Sequence, residues 1–133
     1  MNADRLAEKP HCRYRAGVSL PLRIEGVASL AHGEARSFAF EREGETLGGF
    51  VMRHGDALVA YVNRCPHWGV DLDMGSGRFY AAKVDRIVCC NHGALFQPRS
   101  GVCDMGPCAG QGLEPLAVRC EGPDAVVSVR DGP

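Results

Sequence analysis

The sequence has no run of about 18 apolar residues, so no segment reads as a membrane-spanning helix. It has almost no net charge, only −1 at pH 7. That excludes the strongly basic footprint of a nucleic-acid or anionic-membrane binder. Its opening residues, MNADRLAEKPHCRYRAG, carry charges but neither an apolar h-region nor twin arginines, so no export signal is expected. The expected location is therefore the cytoplasm. Internal repeats and low-complexity tracts are missing, and so is a glycine fingerprint for a dinucleotide. No long stretch holds a 3.6-residue apolar period, which argues against a helical fold. No second metal set of two histidines and a carboxylate stands at ligand spacing.

What is present fits a small β protein. A chain of 133 residues suits one domain, which can bury roughly two-thirds of its unfolded surface without a covalent staple. Seventeen glycines and eight prolines favour many turns. Short β-like runs occupy Pro21 to Val27, Arg36 to Glu41, Gly49 to Arg53 and Ala57 to Val62, with His54-Gly55-Asp56 as a hairpin turn between the last two. Further runs are Arg86 to Cys89, Ala94 to Gln97, Leu116 to Cys120 and Ala125 to Val129, with turns at Pro98 to Gly101 and Glu121 to Asp124. Asp71 to Asp85 reads as loop. The expected fold is all-β, a small antiparallel sandwich or open barrel. Residues 1–17 are expected to form a flexible segment and 18–133 a single domain.

Seven cysteines is a high and odd number, so they cannot all pair with one another. In a reducing compartment that favours metal ligation or redox chemistry over structural disulfides. Five of them lie between Asn63 and Gly112, the stretch densest in glycine and proline, which reads as a site subdomain inserted between strands. Within it, Cys65-Pro66-His67 and Cys89-Cys90-Asn91-His92 each offer one thiolate and one imidazole directly after a β-like run. Soft ligands at short spacing on rigid strands are what a metal centre needs. An isolated cysteine is usually a small hydrophobe, and an isolated histidine is usually a surface residue. Two cysteine–histidine pairs in matching loops are a different matter. A mononuclear zinc site with two cysteines and two histidines uses the same donors, and ligand identity alone leaves that alternative open.

The flanking residues resemble the Rieske iron–sulfur family. Its pattern is C-x-H-x-G-x-x-L, a gap, C-x-x-H-G-x-x-F, a glycine turn and a Gly-Pro loop. Cys65, His67, Gly69 and Leu72 match the first box, and Cys89, His92, Gly93 and Phe96 match the second. Gly101 matches the glycine turn, and Gly106-Pro107 match the Gly-Pro loop. The resemblance spans about residues 57–118. It implies a Rieske fold with a cluster-binding subdomain at about 63–112 and one [2Fe–2S] cluster per chain. Cys65 and Cys89 would hold the inner iron, and His67 and His92 the outer one. Gly69 and Gly93 would adopt positive φ and offer N–H groups to sulfur, and Pro107 would lid the cluster.

The departures from the pattern are informative. Cytochrome-bc-type relatives carry a disulfide beside the cluster, where this chain has Val70 and Asn91. Their hydroxyl donors are replaced here by Ala94 and Phe96. Fewer hydrogen bonds to sulfur should lower the potential. Cys90 stands where the family often has proline; the C-x-x-H spacing favours Cys89 as the ligand. Cys103 and Cys108 read as buried thiols flanking the lid, while Cys12 and Cys120 carry no motif. His11, His32 and His54 read as surface residues, and Asp71 and Asp73 as solvated or capping. Trp68 reads as a shield for the cluster.

The resemblance implies a one-electron carrier, a ferredoxin passing electrons from a reductase to an oxygenase. The alternatives are a small subunit of a larger redox enzyme, as in nitrite reductases, and a redox or metal sensor using Cys90, Cys103 and Cys108. No substrate turnover by the chain alone, no small-molecule substrate, no nucleic acid and no membrane are expected. The purified protein should contain about two irons and two acid-labile sulfides per chain by metal and sulfide assay. One zinc without sulfide would overturn the reading. Cys65→Ser and Cys89→Ser should each abolish the cluster's visible absorption, and Cys90→Ser should retain it.

Overall fold

The longest hairpin is built on a corner that the sequence pattern does not reveal. Glu43 and Gly44 both have positive φ (53° and 79°), the backbone that tight two-residue hairpin turns require. They join β2 (Ala35–Arg42) to β3 (Glu45–His54), paired from Ala35↔Met52 to Arg42↔Glu45. Residues 42–48 (REGETLG) look like loop because they are polar and glycine-rich. They stay in the sheet because cross-strand partners hold them: Thr46 donates to Glu41 at 2.5 Å, and Arg42 grips Glu114 with two bonds.

The computed structural model describes residues 19–66, 69–91, 93–106 and 110–129. The remaining strands are β1 (Leu22–Ile24), β4 (Ala57–Val62), β5 (Tyr80–Ala81), β6 (Arg86–Val88), β7 (Leu95–Phe96), β8 (Cys103–Met105), β9 (Pro115–Glu121) and β10 (Asp124–Val129), with a short 3-10 turn at Val27–Ser29. Six strands form one antiparallel sheet in the order β1-β10-β9-β4-β3-β2. The other four form a second, β5-β6-β7-β8, made by the chain between β4 and β9. The all-β expectation therefore holds. β5 and β8 were not foreseen, since two or three residues carry no readable period; pairing with β6 and β7 defines them. The expected flexible segment at 1–17 lies outside the described residues. Among the described residues no helix is long and apolar enough to cross a membrane.

Two apolar clusters flank the large sheet. One gathers Ile24 from β1, Phe38 and Phe40 from β2, Val51 from β3, and Val127 from β10. Both edge strands thus feed one core, which curls the sheet into a nearly closed barrel. The other gathers Phe50, Met52 and Tyr61 from the opposite face with Phe79, Ile87, Phe96 and Leu72 of the inserted stretch. Because β3 is covered on both faces, its centre reads Phe50-Val51-Met52 without polar alternation. The Phe50 and Phe79 rings stack at 4.1 Å with 14° between their planes, joining the two sheets. Phe79→Ala should destabilise the protein by about 3–5 kcal/mol in denaturant unfolding. Met74→Ala, at an exposed position, should cost under about 0.5 kcal/mol.

Candidate metal centre

Two loops of one design rise from the two sheets. The first follows β4: the Cys65 N–H donates to Val70 O (2.8 Å) and the Gly69 N–H to Cys65 O (2.7 Å). The second follows β6: the Cys89 N–H donates to Ala94 O (2.9 Å) and the Gly93 N–H to Cys89 O (2.8 Å). Each loop is closed by its cysteine bonding five residues ahead and by a glycine bonding back to that cysteine. The glycines have φ of 73° and 74°, which a side chain would resist. The spacings C-x-H and C-x-x-H hide this equivalence, because the common frame is cysteine to glycine.

Cys65 and Cys89 are both buried, at 1% and 0% exposure, within the same apolar cluster. Cys90 is exposed, its Sγ turned toward Arg78 O at 3.8 Å. His67 and His92 lie outside the described residues, as do Trp68, Pro107, Cys108, Cys12 and His11. The Gly69 and Gly93 N–H groups close their own loops. Val70 is half-buried against the core and Ala94 is fully buried. Gly106 runs so close to the second loop that a Cβ there would stand 2.9 Å from Ala94 Cα. Cys103 is buried and its Sγ approaches Met105 O at 3.4 Å; Cys120 is exposed.

Behind the loops sit Asn63 and Asp73, both buried. Asp73 accepts from Gly75 N (3.3 Å) and Gly77 N (3.0 Å), so of the two expected roles, solvated or capping, it takes the capping one, and does so buried. Asp71 is exposed; desolvation, and then the charge of Asp73, push its carboxyl above the usual range.

A two-iron, two-sulfide cluster fits these residues. Two thiol side chains are buried on matched loops, and beside both loop glycines, among the described residues, nothing lies within 4 Å of a Cβ position. Soft donors in an apolar surround suit iron–sulfur chemistry. The Rieske [2Fe-2S] domain family matches residues 22–127.

The chain belongs to the Rieske [2Fe–2S] domain family. The cofactor of such a domain is one [2Fe–2S] cluster, and the protein is a Rieske electron carrier. Among solved structures it is similar to the ferredoxin of carbazole 1,9a-dioxygenase from Nocardioides aromaticivorans IC177, at 29% identity and a TM-score of 0.63, covering 84% of this chain and 100% of that one. A complex of reduced oxygenase and oxidized ferredoxin in carbazole 1,9a-dioxygenase matches at 23% and 0.65, covering 84% of this chain and 94% of that one. The Sphingomonas yanoikuyae B1 ferredoxin matches at 23% and 0.56, covering 84% and 99%. The last two likenesses concern the fold. None of the curated proteins matches the Rieske chain.

His32 is exposed as expected, and His54 is half-buried. His32 and His54 are not isolated: with Asp85 they form a group of two imidazoles and a carboxylate whose ligand atoms lie within 4.8 Å of one another. No local spacing announces it, since His32 and Asp85 come from separate turns and His54 from the end of β3. Gly55 N–H donates to His32 Nδ1 (2.8 Å), so the Nε2–H of the neutral ring faces Tyr80 Oη (2.9 Å). Arg99 Nε–H donates to His54 Nδ1 (2.8 Å), leaving Nε2–H to Asp85 Oδ1 (2.9 Å). The Tyr80 hydroxyl donates to the same Oδ1 at 2.5 Å. A metal-ligating imidazole normally donates from its outer nitrogen. Both outer nitrogens here accept, so the group suits a proton-ordered seam and not a metal.

Hydrogen bonds from Tyr80 and then His54 hold the Asp85 carboxyl below its usual range, while desolvation and the Asp85 bond push the Tyr80 phenol up to about 12. A lowered carboxyl adds stability above its unfolded pKa and loses it as pH falls through the folded one. Thermal melting should therefore fall as pH drops below about 4. Asp85→Asn should flatten that fall, with the Arg-paired Glu114, Glu121 and Asp124 supplying the remainder.

Proposed function

We propose that this Rieske protein is the ferredoxin of an oxygenase system, taking single electrons from a reductase and passing them to the oxygenase. The observation that carries the reading is its likeness to the Nocardioides aromaticivorans ferredoxin, whose whole length aligns with this chain. We propose further that Cys65, Cys89, His67 and His92 hold the cluster, within a single domain at 18–133.

When bound, the cluster supplies a one-electron couple; the chain's own residues set where and how easily it operates. Cys65 and Cys89 anchor it from inside, because both side chains face the core. The buried, hydroxyl-free Ala94 and Phe96 offer no side-chain donor to stabilise added charge. Exposed residues in and beside the loops include Gly69, Asp71, Cys90 and Asn91, with Met74 and Met105 at 56% and 61%. Apolar, flexible side chains around the loops suit a small, transient contact of under about 1,200 Å². The electron leaves at this end, beside Val70 and Met105.

The midpoint potential, by redox titration, should lie nearer roughly −150 mV than +300 mV. Met105→Glu should slow electron delivery to an oxygenase several-fold in stopped-flow assays without moving the potential. Transfer at the unmodified rate would put the docking face elsewhere. A stable, stoichiometric complex on pull-down would favour the subunit reading.

A further inference from the structure

The two loops belong to different sheets, so something must fix one relative to the other. A single backbone bond joins the two ligand segments among the described residues: the Cys90 N–H donates to Leu72 O at 2.8 Å. Leu72 is itself held by a side chain, since its N–H donates to Asn63 Oδ1 at 2.8 Å. Asn63 is held on two further sides. Its backbone N–H donates to Gly48 O of β3 (2.9 Å), and its Nδ2–H donates to Asp73 Oδ1 (3.2 Å). Asp73 is tied in turn to Gly75 and Gly77. Asn63 and Asp73 are 5% and 6% exposed, so water does little to substitute for either partner.

We infer that Asn63 is a positioning residue for the cluster: its amide, anchored on Asp73, sets the separation of the Cys65 and Cys89 loops and thereby the geometry of the iron site. The inference rests on the proposed ligation by Cys65 and Cys89. Burial of an asparagine at this place needs a reason beyond packing, because an apolar side chain of like size fills the volume without three polar obligations. The amide meets two demands at once. It accepts from a backbone N–H that faces no strand, and it donates to a carboxylate that orders the next turn. Aspartate at 63 would keep the acceptor but set two carboxylates against each other. Leucine would lose both bonds without changing charge.

The test uses the full chain with its cluster. Hydrogen exchange read by mass spectrometry should show Asn63→Leu exchanging roughly tenfold faster at residues 70–77 and 89–91, a factor equal to about 1.4 kcal/mol. Strands β1, β2 and β10 should be unchanged. The electron paramagnetic resonance line shape of the reduced cluster should change in Asn63→Leu and Asn63→Asp. The double variant Asn63→Asp/Asp73→Asn, with the native net charge and a rebuilt amide–carboxylate bond but no acceptor for the Gly75 N–H, should move it back toward native. If Asn63→Leu leaves both exchange and line shape native, the inference is overturned. Should Asn63→Leu fail to fold, a double variant no closer to native than Asn63→Asp overturns it equally. Failure of the ligand reading is separate, and would appear as a cluster that survives Cys65→Ser.

Discussion

If Cys65 and Cys89 hold the cluster as proposed, the constraint on which this protein depends is that two cysteine loops, one from each sheet, stand at a fixed distance. Each loop is rigid on its own, closed by two backbone bonds around a cysteine and a positive-φ glycine. Rigid loops are of little use on sheets that slide. The molecule spends its best packing on that problem. Phe50 and Phe79 stack across the gap, and the Tyr61 hydroxyl donates to Pro98 O at 2.7 Å in a buried bond from β4 to the turn after β7. Leu72 is fully buried in the same apolar cluster.

The seam has two ends of different character. Near the loops it is dry, with a buried amide and carboxylate whose bonds are few and costly to break. At the far end of β4 it is wet, where His32, His54, Tyr80, Asp85 and Arg99 form one chain of hydrogen bonds. Exposed polar pairs add little stability each, so this end registers the inserted sheet more than it holds it. The gradient suits a carrier, because the end that must stay precise is the one sheltered from solvent.

For electron transfer, the arrangement separates holding from handing over. The thiol side chains point into the core, where apolar surroundings discourage exchange and hydrolysis. The exposed surface beside the same loops carries two methionines together with the polar Asp71 and Asn91. In the proposed docking at this end, a partner would meet exposed side chains and not the buried core. A weak and reversible contact fits a protein that must release each partner before meeting the next.

The sequence by itself determined the all-β class, most strands and the family, because those depend on local matters: alternation, turn residues, and cysteine–histidine boxes whose spacing is set by one tight loop. It singled out Cys89 over Cys90 by spacing, and the fold buries the first and exposes the second. It did not announce the Arg42–Glu45 corner, where polar residues stay in register through partners far along the chain, such as Glu114. Nor did it announce β5 and β8, which exist only because a neighbour pairs with them. Asp73 read as solvated or capping, and His32 and His54 as surface residues. Only the tertiary structure decided that the cap is buried and that both imidazoles join Asp85. Burial and partnership of a polar side chain are set by what the chain brings back from 10, 31 or 48 residues away, and no local pattern records that.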